Sequence, residues 1–277
     1  MSGTIEIDNS AAVVKLAPGA KADASLPALA NSPPPLRRRP DAGPARLSFA
    51  QERLWFLDQI NPDDVLGNLS RGVRLKGALD TEALKLASQA VVARHEILRT
   101  TFAKNEHHAG TDGQPRQLVA EAIAIDLATI DLSLTPQAER EDKARTVARA
   151  AARKPFDLAL GPLLRLGLVK LDESDHILLL HTHRIVADEL SLDIFFRELW
   201  ACYRALLTHE DPRLEAMPVQ FADYANWQRE WLQGEVLKQQ LDYWQAKKDP
   251  PPHPKHHLDS DLLRSRGRFF PASKIQP

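Results

Sequence analysis

The distribution of hydrophobic and polar positions divides the chain into alternating helical and extended segments from about residue 47 onward. Apolar residues that recur every three or four positions predict helices over 47–60, 136–153, 191–207 and 221–247. Asp80 is a predicted N-cap for another helix, which carries Leu84, Ala87 and Val91 along one face. Short alternating or continuous apolar runs predict strands over 69–75, 97–102, 117–119, 123–127, 163–171, 176–183 and 267–272. This order predicts an α/β sandwich in which helices cover a mixed sheet.

The runs at 163–171 and 176–183 predict a β-hairpin, because they flank the polar turn Asp172-Glu173-Ser174-Asp175. The second run contains Ile177-Leu178-Leu179-Leu180, which is continuously apolar and is therefore expected to be buried on both faces of the sheet. Glycine and proline between 105 and 115 predict a loop or turn.

The two ends of the chain lack these patterns, which sets the predicted domain limits. Residues 1–45 are rich in Ala, Pro, Ser and Asp, and Pro33-Pro34-Pro35 favours an extended backbone, so we predict a disordered leader or linker there. The folded domain is predicted over 46–249. Residues 250–277 are rich in Pro and His and are predicted to form a tail. The basic tripeptide Arg37-Arg38-Arg39 is interpreted as part of a solvated linker.

Composition narrows the class of protein and its partners. The 277 residues are 43% hydrophobic and 26% charged with a net charge of −1, a globular mixture that gives no reason to expect nucleic-acid or membrane binding. Cys202 is the single cysteine, so no intrachain disulfide is possible. We see no secretory signal after Met1 and no apolar run near the roughly 18 residues that span a bilayer, and we expect a cytoplasmic location.

Four stretches carry motifs in a fixed order and spacing: LSFAQERLWFL at 47–57, RHEILRTTF at 94–102, HRIVADE at 183–189 and FADYANW at 221–227. They resemble the SxAQxRLWxL, RHExLRTxF, HHxxxDG and YxDFAxW motifs of condensation domains from nonribosomal peptide synthetases. The structural motif positions that match are Ser48, Gln51, Arg53, Arg94, His95, Arg99, Asp223 and Trp227, and the positions of the catalytic motif are His183, Arg184 and Asp188.

The resemblance implies a chloramphenicol-acetyltransferase-like fold with two lobes arranged in a V and a tunnel between them. Two carrier proteins deliver thioesters bound to phosphopantetheine from opposite ends, and the acceptor amine attacks the donor thioester to form an amide. No cofactor is expected to bind directly, since the phosphopantetheine arm belongs to the carrier proteins. The matched motifs imply the N-terminal lobe, and no motif of a C-terminal lobe follows before Pro277. An apolar face between the lobes would then be exposed.

The third motif departs from the family pattern at two positions. Arg184 occupies the place of the second histidine, which handles or orients the amine in the family, and Glu189 occupies the place of a glycine. A guanidinium stays protonated and has no acceptor, so Arg184 cannot act as a general base. It either pairs with Asp188 or Glu189 or donates to a developing oxyanion. Glu189 conflicts with a glycine-specific backbone, but an acid is favourable at a helix N-terminus.

Other histidines and aromatic residues are interpreted as structural or solvated. His181, His183 and His95 are expected to be buried and hydrogen-bonded, and Asp188 is expected to be a structural acceptor. The clusters His107-His108 and His253 to His257 lack supporting ligands, so no metal site is predicted. The aromatic residues Trp227, Trp231, Tyr243 and Trp244 are interpreted as packing residues.

Three functional hypotheses remain open. The first is a condensation-domain fragment that does not form amides as an isolated chain and depends on a C-terminal lobe from another chain. The second is a binding module similar to the X domain of glycopeptide synthetases, which recruits a cytochrome oxygenase, because Asp188-Glu189 is close to the Asp-Asp of that domain's motif. The third is a decayed gene product. Carrier proteins are the expected partners under the first hypothesis.

Overall fold

A computed structural model describes residues 33–40, 43–62, 64–104 and 113–246 of the chain. These residues belong to two units, one that ends at Leu232 and one that begins at Gln233. The strands are β1 (Ala45–Arg46), β2 (Asn68–Lys76), β3 (Thr100–Lys104), β4 (Pro115–Val119), β5 (Leu127–Asp131), β6 (Leu164–Asp172) and β7 (Asp175–His183). The helices are α1 (Phe49–Ile60), α2 (Thr81–Arg94), α3 (Gln137–Ala152), α4 (Glu189–Thr208), α5 (Phe221–Trp231) and α6 (Gly234–Ala246).

The first unit contains two sheets. The larger has the strand order β2-β7-β6-β5, in which β5 and β6 run parallel and the other neighbours run antiparallel. The smaller has the order β1-β4-β3 and is antiparallel throughout. The predicted mixed sheet covered by helices is therefore confirmed, and the β6–β7 hairpin forms as its polar turn predicts.

Strand β7 lies at the centre of the core, with helices packed on both faces. Leu178 and Leu180 belong to the same apolar cluster as residues of α2 and α4, whereas Leu179 packs with Ala144 of α3 and Val169. Successive strand residues point to opposite faces, so this division follows directly from the continuous apolar run. Each fully buried leucine contributes about 1.5–3 kcal/mol, which makes this strand the main anchor of the sheet. Burial on both faces is confirmed.

Two strand predictions were misplaced because side chains from other segments bind the backbone there. Residues 123–127 were predicted as a strand, but the backbone carbonyl of Ile123 accepts from Gln89 Nε2 (2.6 Å), and the N–H of Ile125 donates to Gln89 Oε1 (3.0 Å). The side chain of α2 thus replaces a strand partner, and β5 begins only at Leu127.

Residues 97–102 were also predicted as a strand, but the chain forms a 3₁₀ turn over Glu96–Arg99 before β3 begins at Thr100. The carbonyl of Glu96 accepts from the Thr100 hydroxyl (2.7 Å), and its N–H donates to Gln220 Oε1 (3.1 Å). These side chains take the hydrogen bonds of the backbone groups of Glu96, so the chain forms a turn here and does not pair with a neighbouring strand.

The predicted single helix over 221–247 is two helices. Helix α5 ends at Trp231, and α6, which belongs to the second unit, begins at Gly234. Gly234 has φ 54°, a left-handed conformation that glycine adopts without the steric cost of a side chain. The predicted strand over 267–272, the tail over 250–277 and most of the predicted loop over 105–115 lie outside the described residues.

Residues 33–40, here called the strap, pack against α5 instead of forming an unpacked leader. Arg39 bridges two acids: its guanidinium lies 2.7 Å from Glu96 Oε2 and 3.1 Å from Asp223 Oδ1, and its N–H also donates to Asp223. The Arg39 side chain is 7% exposed, so it is not the solvated linker residue predicted above. Trp227 Nε1 donates to the carbonyl of Pro34 (2.6 Å). Within the predicted leader over 1–45, the strap thus contacts the folded unit, residues 1–32 and 41–42 lie outside the described part, and the domain limits stay a prediction.

Three buried histidines lie on β7, and burial lowers the pKa of each: His176, His181 and His183. His181 is 4% exposed, its Nδ1 lies 2.9 Å from the Ser70 hydroxyl, and its Nε2 has no hydrogen-bond partner within the described residues. Burial, with a smaller contribution from the positive charges of Arg165 and Lys154, lowers the pKa of His181 to about 4.

The ion bridge of the strap predicts a large loss of stability in Arg39→Leu. Removing the guanidinium leaves the buried Asp223 carboxylate and the partly buried Glu96 carboxylate without their cation, at a cost of about 3–5 kcal/mol in the free energy of unfolding. Urea denaturation followed by circular dichroism measures this loss. Arg38→Leu is the matched control, because the neighbouring Arg38 is exposed and should change stability by less than about 0.5 kcal/mol. Equal effects of the two changes would contradict the packed strap.

The neutral histidine at 181 predicts acid sensitivity. Its pKa is about 4 in the folded chain and about 6.5 unfolded, so the unfolded state binds more protons, and the stabilising effect, complete above pH 6.5, is lost as the pH falls towards 4. His181→Asn should reduce the stability lost between pH 7.5 and pH 5 by ~1–2 kcal/mol. Urea midpoints at the two pH values test this, and an unchanged difference would contradict it.

Candidate functional site

The third motif forms the connection between β7 and α4. His183 is the last residue of β7, residues 184–187 form the loop, and Asp188 is the N-cap of α4. Asp188 Oδ1 accepts from the N–H of Ser191 (2.8 Å) and from its hydroxyl (2.6 Å), and the Ser191 hydroxyl accepts from the Asp188 N–H (3.2 Å). These hydrogen bonds lower the pKa of Asp188. The carboxylate therefore serves as a helix cap, in accord with the structural role predicted for it.

His183 is held as a neutral acceptor. It is 5% exposed, and its Nδ1 accepts from the N–H of Ile185 (3.1 Å), which places the ring proton of the neutral imidazole on Nε2. The Phe156 ring lies edge-on to it, with 6.4 Å between the centroids. Burial, and then the charge of Arg184, lowers the pKa of His183 to about 4. The acceptor nitrogen of this histidine is thus occupied within the loop itself.

The backbone of Gly67 lies directly against the His183 ring. A Cβ atom at this position would lie 2.0 Å from His183 Nε2, a distance that no real contact permits. The carbonyl of Gly67 also accepts from the N–H of Arg184 (2.8 Å). Sequence analysis did not single out this glycine, and the available signal was a glycine immediately before the start of β2.

Arg184 is exposed on the wall of a pocket of about 380 Å³. The other lining residues are mostly apolar: Leu54, Leu69, Ala187, Asp188, Glu189 and Leu190. The predicted pairing of Arg184 with Asp188 or Glu189 does not occur. Asp188 caps α4, and Glu189 lies 3.3 Å from Arg71, so the guanidinium of Arg184 has no ionic partner within the described residues.

Glu189 causes none of the backbone strain that a glycine position suggested. It is the first residue of α4 and is not among the described non-glycine residues with positive φ. Its carboxylate lies at a helix N-terminus, where an acid is favourable, and it shares Arg71 with Asp193. Glutamate therefore fits this position, as the alternative interpretation expected.

The first motif, at 47–57, contacts the loop of residues 184–187 through the side chain of Gln51. Ser48 and Gln51 form a capping box at the start of α1: the Ser48 hydroxyl accepts from the N–H of Gln51 (3.2 Å), and Gln51 Oε1 accepts from the N–H of Ser48 (3.0 Å). Gln51 Nε2 then donates to the carbonyl of Ile185 (3.2 Å). Arg53 is exposed and makes no ion pair with any described residue.

The second and fourth motifs are structural in the described unit. Glu198 lies 2.6 Å from His95 Nε2 and 3.2 Å from Arg94 Nε, so both motif residues attach α2 to α4. The Arg99 guanidinium donates to the carbonyl of Ala120. Asp223 and Trp227 of the fourth motif hold the strap, as described above. None of these residues lines the pocket of Arg184.

Metal and membrane sites find no support in the described part of the chain. No group of three His, Cys, Asp or Glu residues there could hold a metal ion. The histidine pair His107-His108 and the cluster from His253 to His257 lie outside the described residues. No described helix has the length and apolar character needed to cross a membrane.

The close contact at Gly67 predicts that Gly67→Ala disrupts the loop. The added methyl group would meet His183 Nε2 at 2.0 Å, so the ring or β2 must move, at an expected cost of about 2–3 kcal/mol in the free energy of unfolding. Gly72→Ala, within β2, is the control, because the nearest neighbour of its added methyl group would be Leu179 Cδ2 at 3.4 Å. Thermal denaturation of both variants tests this, and equal tolerance would be inconsistent with the contact.

Similar proteins were found by sequence and by structure. Residues of this chain are 47% identical over 201 positions to one of the linear gramicidin synthase proteins of Brevibacillus parabrevis, a match covering 73% of this chain and 2% of that protein. The structure is similar to the X-domain in its complex with OxyB from teicoplanin biosynthesis, with a TM-score of 0.66 and 30% identity over 78% of this chain and 46% of that chain.

The starter condensation domain of rhizomide synthetase RzmA shares the fold, with a TM-score of 0.65 and 20% identity over 74% of this chain and 48% of that chain. The chain thus spans under half of these matched structures and a small part of the gramicidin synthase. The model of the Condensation domain family matches residues 42–270, which include all four motifs. The chain belongs to the condensation-domain family of nonribosomal peptide synthetases.

Proposed function

We propose that this chain forms one wall of a condensation site in nonribosomal peptide synthesis and does not catalyse amide formation alone. The observation that carries the proposal is the state of the third motif. Arg184, a permanent cation without an acceptor, stands on the pocket wall, while the one histidine of this motif, His183, is buried with its acceptor nitrogen occupied.

Amide formation requires an amine to lose a proton as it attacks a thioester carbonyl. Among the residues that line the pocket, Asp188 is engaged in the helix cap and Glu189 is paired with Arg71. Neither is placed as a free base. We infer that the Arg184 guanidinium donates to the carbonyl oxygen of the thioester, where it would help to bind this substrate or to stabilise the oxyanion, with the base supplied from elsewhere.

Carrier proteins with their phosphopantetheine arms are the proposed partners, as for other members of the family. A second lobe is the proposed cover for α1, where Phe56, Leu57 and Ile60 are 60%, 50% and 66% exposed. Such apolar surface supports an interface with protein, because isolated soluble units rarely expose large apolar side chains in a group. A cytoplasmic location remains a prediction from sequence.

The test of inactivity uses two carrier proteins loaded with different amino acids as phosphopantetheine thioesters. The purified chain should produce no dipeptidyl thioester above the rate without protein, as measured by mass spectrometry of the carrier. Arg184→His should also give none, because a base restored on one wall does not hold the two thioesters together, and positioning is a large part of the rate enhancement. Product formation that Arg184→Ala abolishes would refute the proposal.

Substrate binding gives a second test of the proposal, in which a positive result is expected. An aminoacyl-pantetheine should bind the chain, and Arg184→Ala should weaken this binding about tenfold by removing a charged donor to the thioester carbonyl. Isothermal calorimetry gives the dissociation constants. Arg53→Ala is the matched control, since Arg53 is also an exposed arginine but does not line the pocket. Equal losses in the two variants would show that Arg184 has no specific role.

A second candidate is a binding module like the X domain, which the fold match at 30% identity favours. The complex with OxyB was seen for the teicoplanin X-domain. An oxygenase partner for the present chain is a proposal. Immobilised chain should then capture a purified oxygenase of this type and not loaded carriers. Binding of aminoacyl-pantetheine that depends on Arg184, without capture of the oxygenase, would favour the condensation-site proposal over this one.

A further inference from the structure

The loop that presents Arg184 has a frame that its own motif supplies only in part. Its backbone N–H at Arg184 donates to Gly67, and its N–H at Ile185 donates to His183 Nδ1. The carbonyl of Ile185 is the next polar group of the loop, and it points into the core of the unit, where no water can replace a lost partner. Its donor is Gln51 Nε2, at 3.2 Å.

The geometry points to Gln51 as the positioning residue of this site. We propose that its side-chain amide fixes the backbone of residues 183–188 and so sets where Arg184 meets the pocket. Gln51 does not line the pocket, and its contact with the loop is the hydrogen bond to the carbonyl of Ile185. The inference does not rest on the proposed function, since it concerns the shape of the loop whether or not the chain forms amides.

The orientation of the Gln51 amide leaves one arrangement. Its oxygen is committed to the N–H of Ser48 (3.0 Å), which forces the NH₂ group towards the loop. Gln51 is 2% exposed, so a rotated side chain would leave both a buried donor and a buried carbonyl unpaired. A buried unpaired group costs more than the hydrogen bond is worth, and this penalty favours a single position for the loop.

A second buried glutamine holds Gln51 in place. Gln117 is fully buried on β4, with its Oε1 3.5 Å from Gln51 Nε2. Its own Nε2 donates to the carbonyl of Arg46 on β1 (2.7 Å). The amides of Gln117 and Gln51 therefore connect the small sheet to the loop after β7, across separations of 66 and 134 residues in sequence.

The test compares two changes in the same capping box. Gln51→Met removes the donor to Ile185 at nearly constant side-chain volume. Ser48→Ala instead removes the N-cap of α1 and costs about as much stability as the loss of other N-caps. It keeps the Gln51–Ile185 hydrogen bond. If Gln51 were merely structural, both variants would affect the loop through stability alone and to a similar degree.

Two readouts report the loop directly. In chain labelled with ¹⁵N-histidine, the His183 ring should carry its proton on Nε2 at pH 7, and Gln51→Met should give a mixture of tautomers as Ile185 leaves Nδ1. Hydrogen exchange of the Ile185 amide should become about tenfold faster relative to the slowest core amides. Ser48→Ala should leave both unchanged, and His183→Gln assigns the ring signals.

The proposal is overturned if Gln51→Met leaves the His183 tautomer and the Ile185 exchange rate as they are, or if Ser48→Ala changes both equally. Should Gln51→Met fail to fold, Gln51→Asn keeps a polar side chain that is one methylene too short to reach Ile185 and should give the same two changes. Neither readout depends on amide formation, so failure here is distinguishable from failure of the proposed function.

Discussion

The burial of β7 on both faces and along both edges is the constraint on which the unit depends. Its leucines pack against α2 and α4 on one side and against α3 on the other, while β2 and β6 pair with it along its length. Shifting the register by one residue would move Leu179 and its neighbours to the wrong faces and place His181 and His183 against the wrong helices. The end of β7, and with it the start of the third motif, therefore has one place in the fold.

The elements whose signals are local were predictable from sequence. The β6–β7 hairpin has its turn residues between two apolar runs, and α2 has Asp80 as its cap, which accepts from the N–H of Ala83 (2.9 Å). The misplaced elements depend on distant partners. No property of residues 123–127 indicates that Gln89 takes their hydrogen bonds, and the Pro-rich strap is ordered by Asp223 and Trp227, more than 180 residues away. The break before Gly234 had a local signal, but the helical periodicity on both sides outweighed it.

The motifs predicted which loop to inspect, and its geometry could not be predicted from them. Their order pointed to His183, Arg184 and Asp188 as the candidate site residues, and these three remain a prediction. The contacts of Gly67 and Gln51 with the loop could not be predicted from sequence, because both involve backbone groups of the loop, and no side-chain pattern marks those groups. This frame also explains why the substitutions at 184 and 189 fit: the hydrogen bonds that shape the loop come from backbone atoms and from His183.

The remaining motifs form a sequence of contacts that ends at this loop. The fourth motif binds the strap through Asp223 and Trp227, and the next residues of α5 bind the start of α1, where Gln228 accepts from the N–H of Phe49 (3.0 Å) and Arg229 donates to the carbonyl of Leu47 (2.7 Å). Helix α1 then binds the loop through Gln51.

Loss of a side-chain contact has different consequences in these connecting contacts, the framework, and in the pocket of Arg184. The framework contacts of Asp223, Arg229 and Gln51 remove buried or partly buried polar groups from water, so the loss of one of them leaves an unpaired group and costs stability. Arg184 has no such obligation, because its side chain is exposed and unpaired within the described unit. The contacts that hold the loop therefore do not depend on the side chain of Arg184.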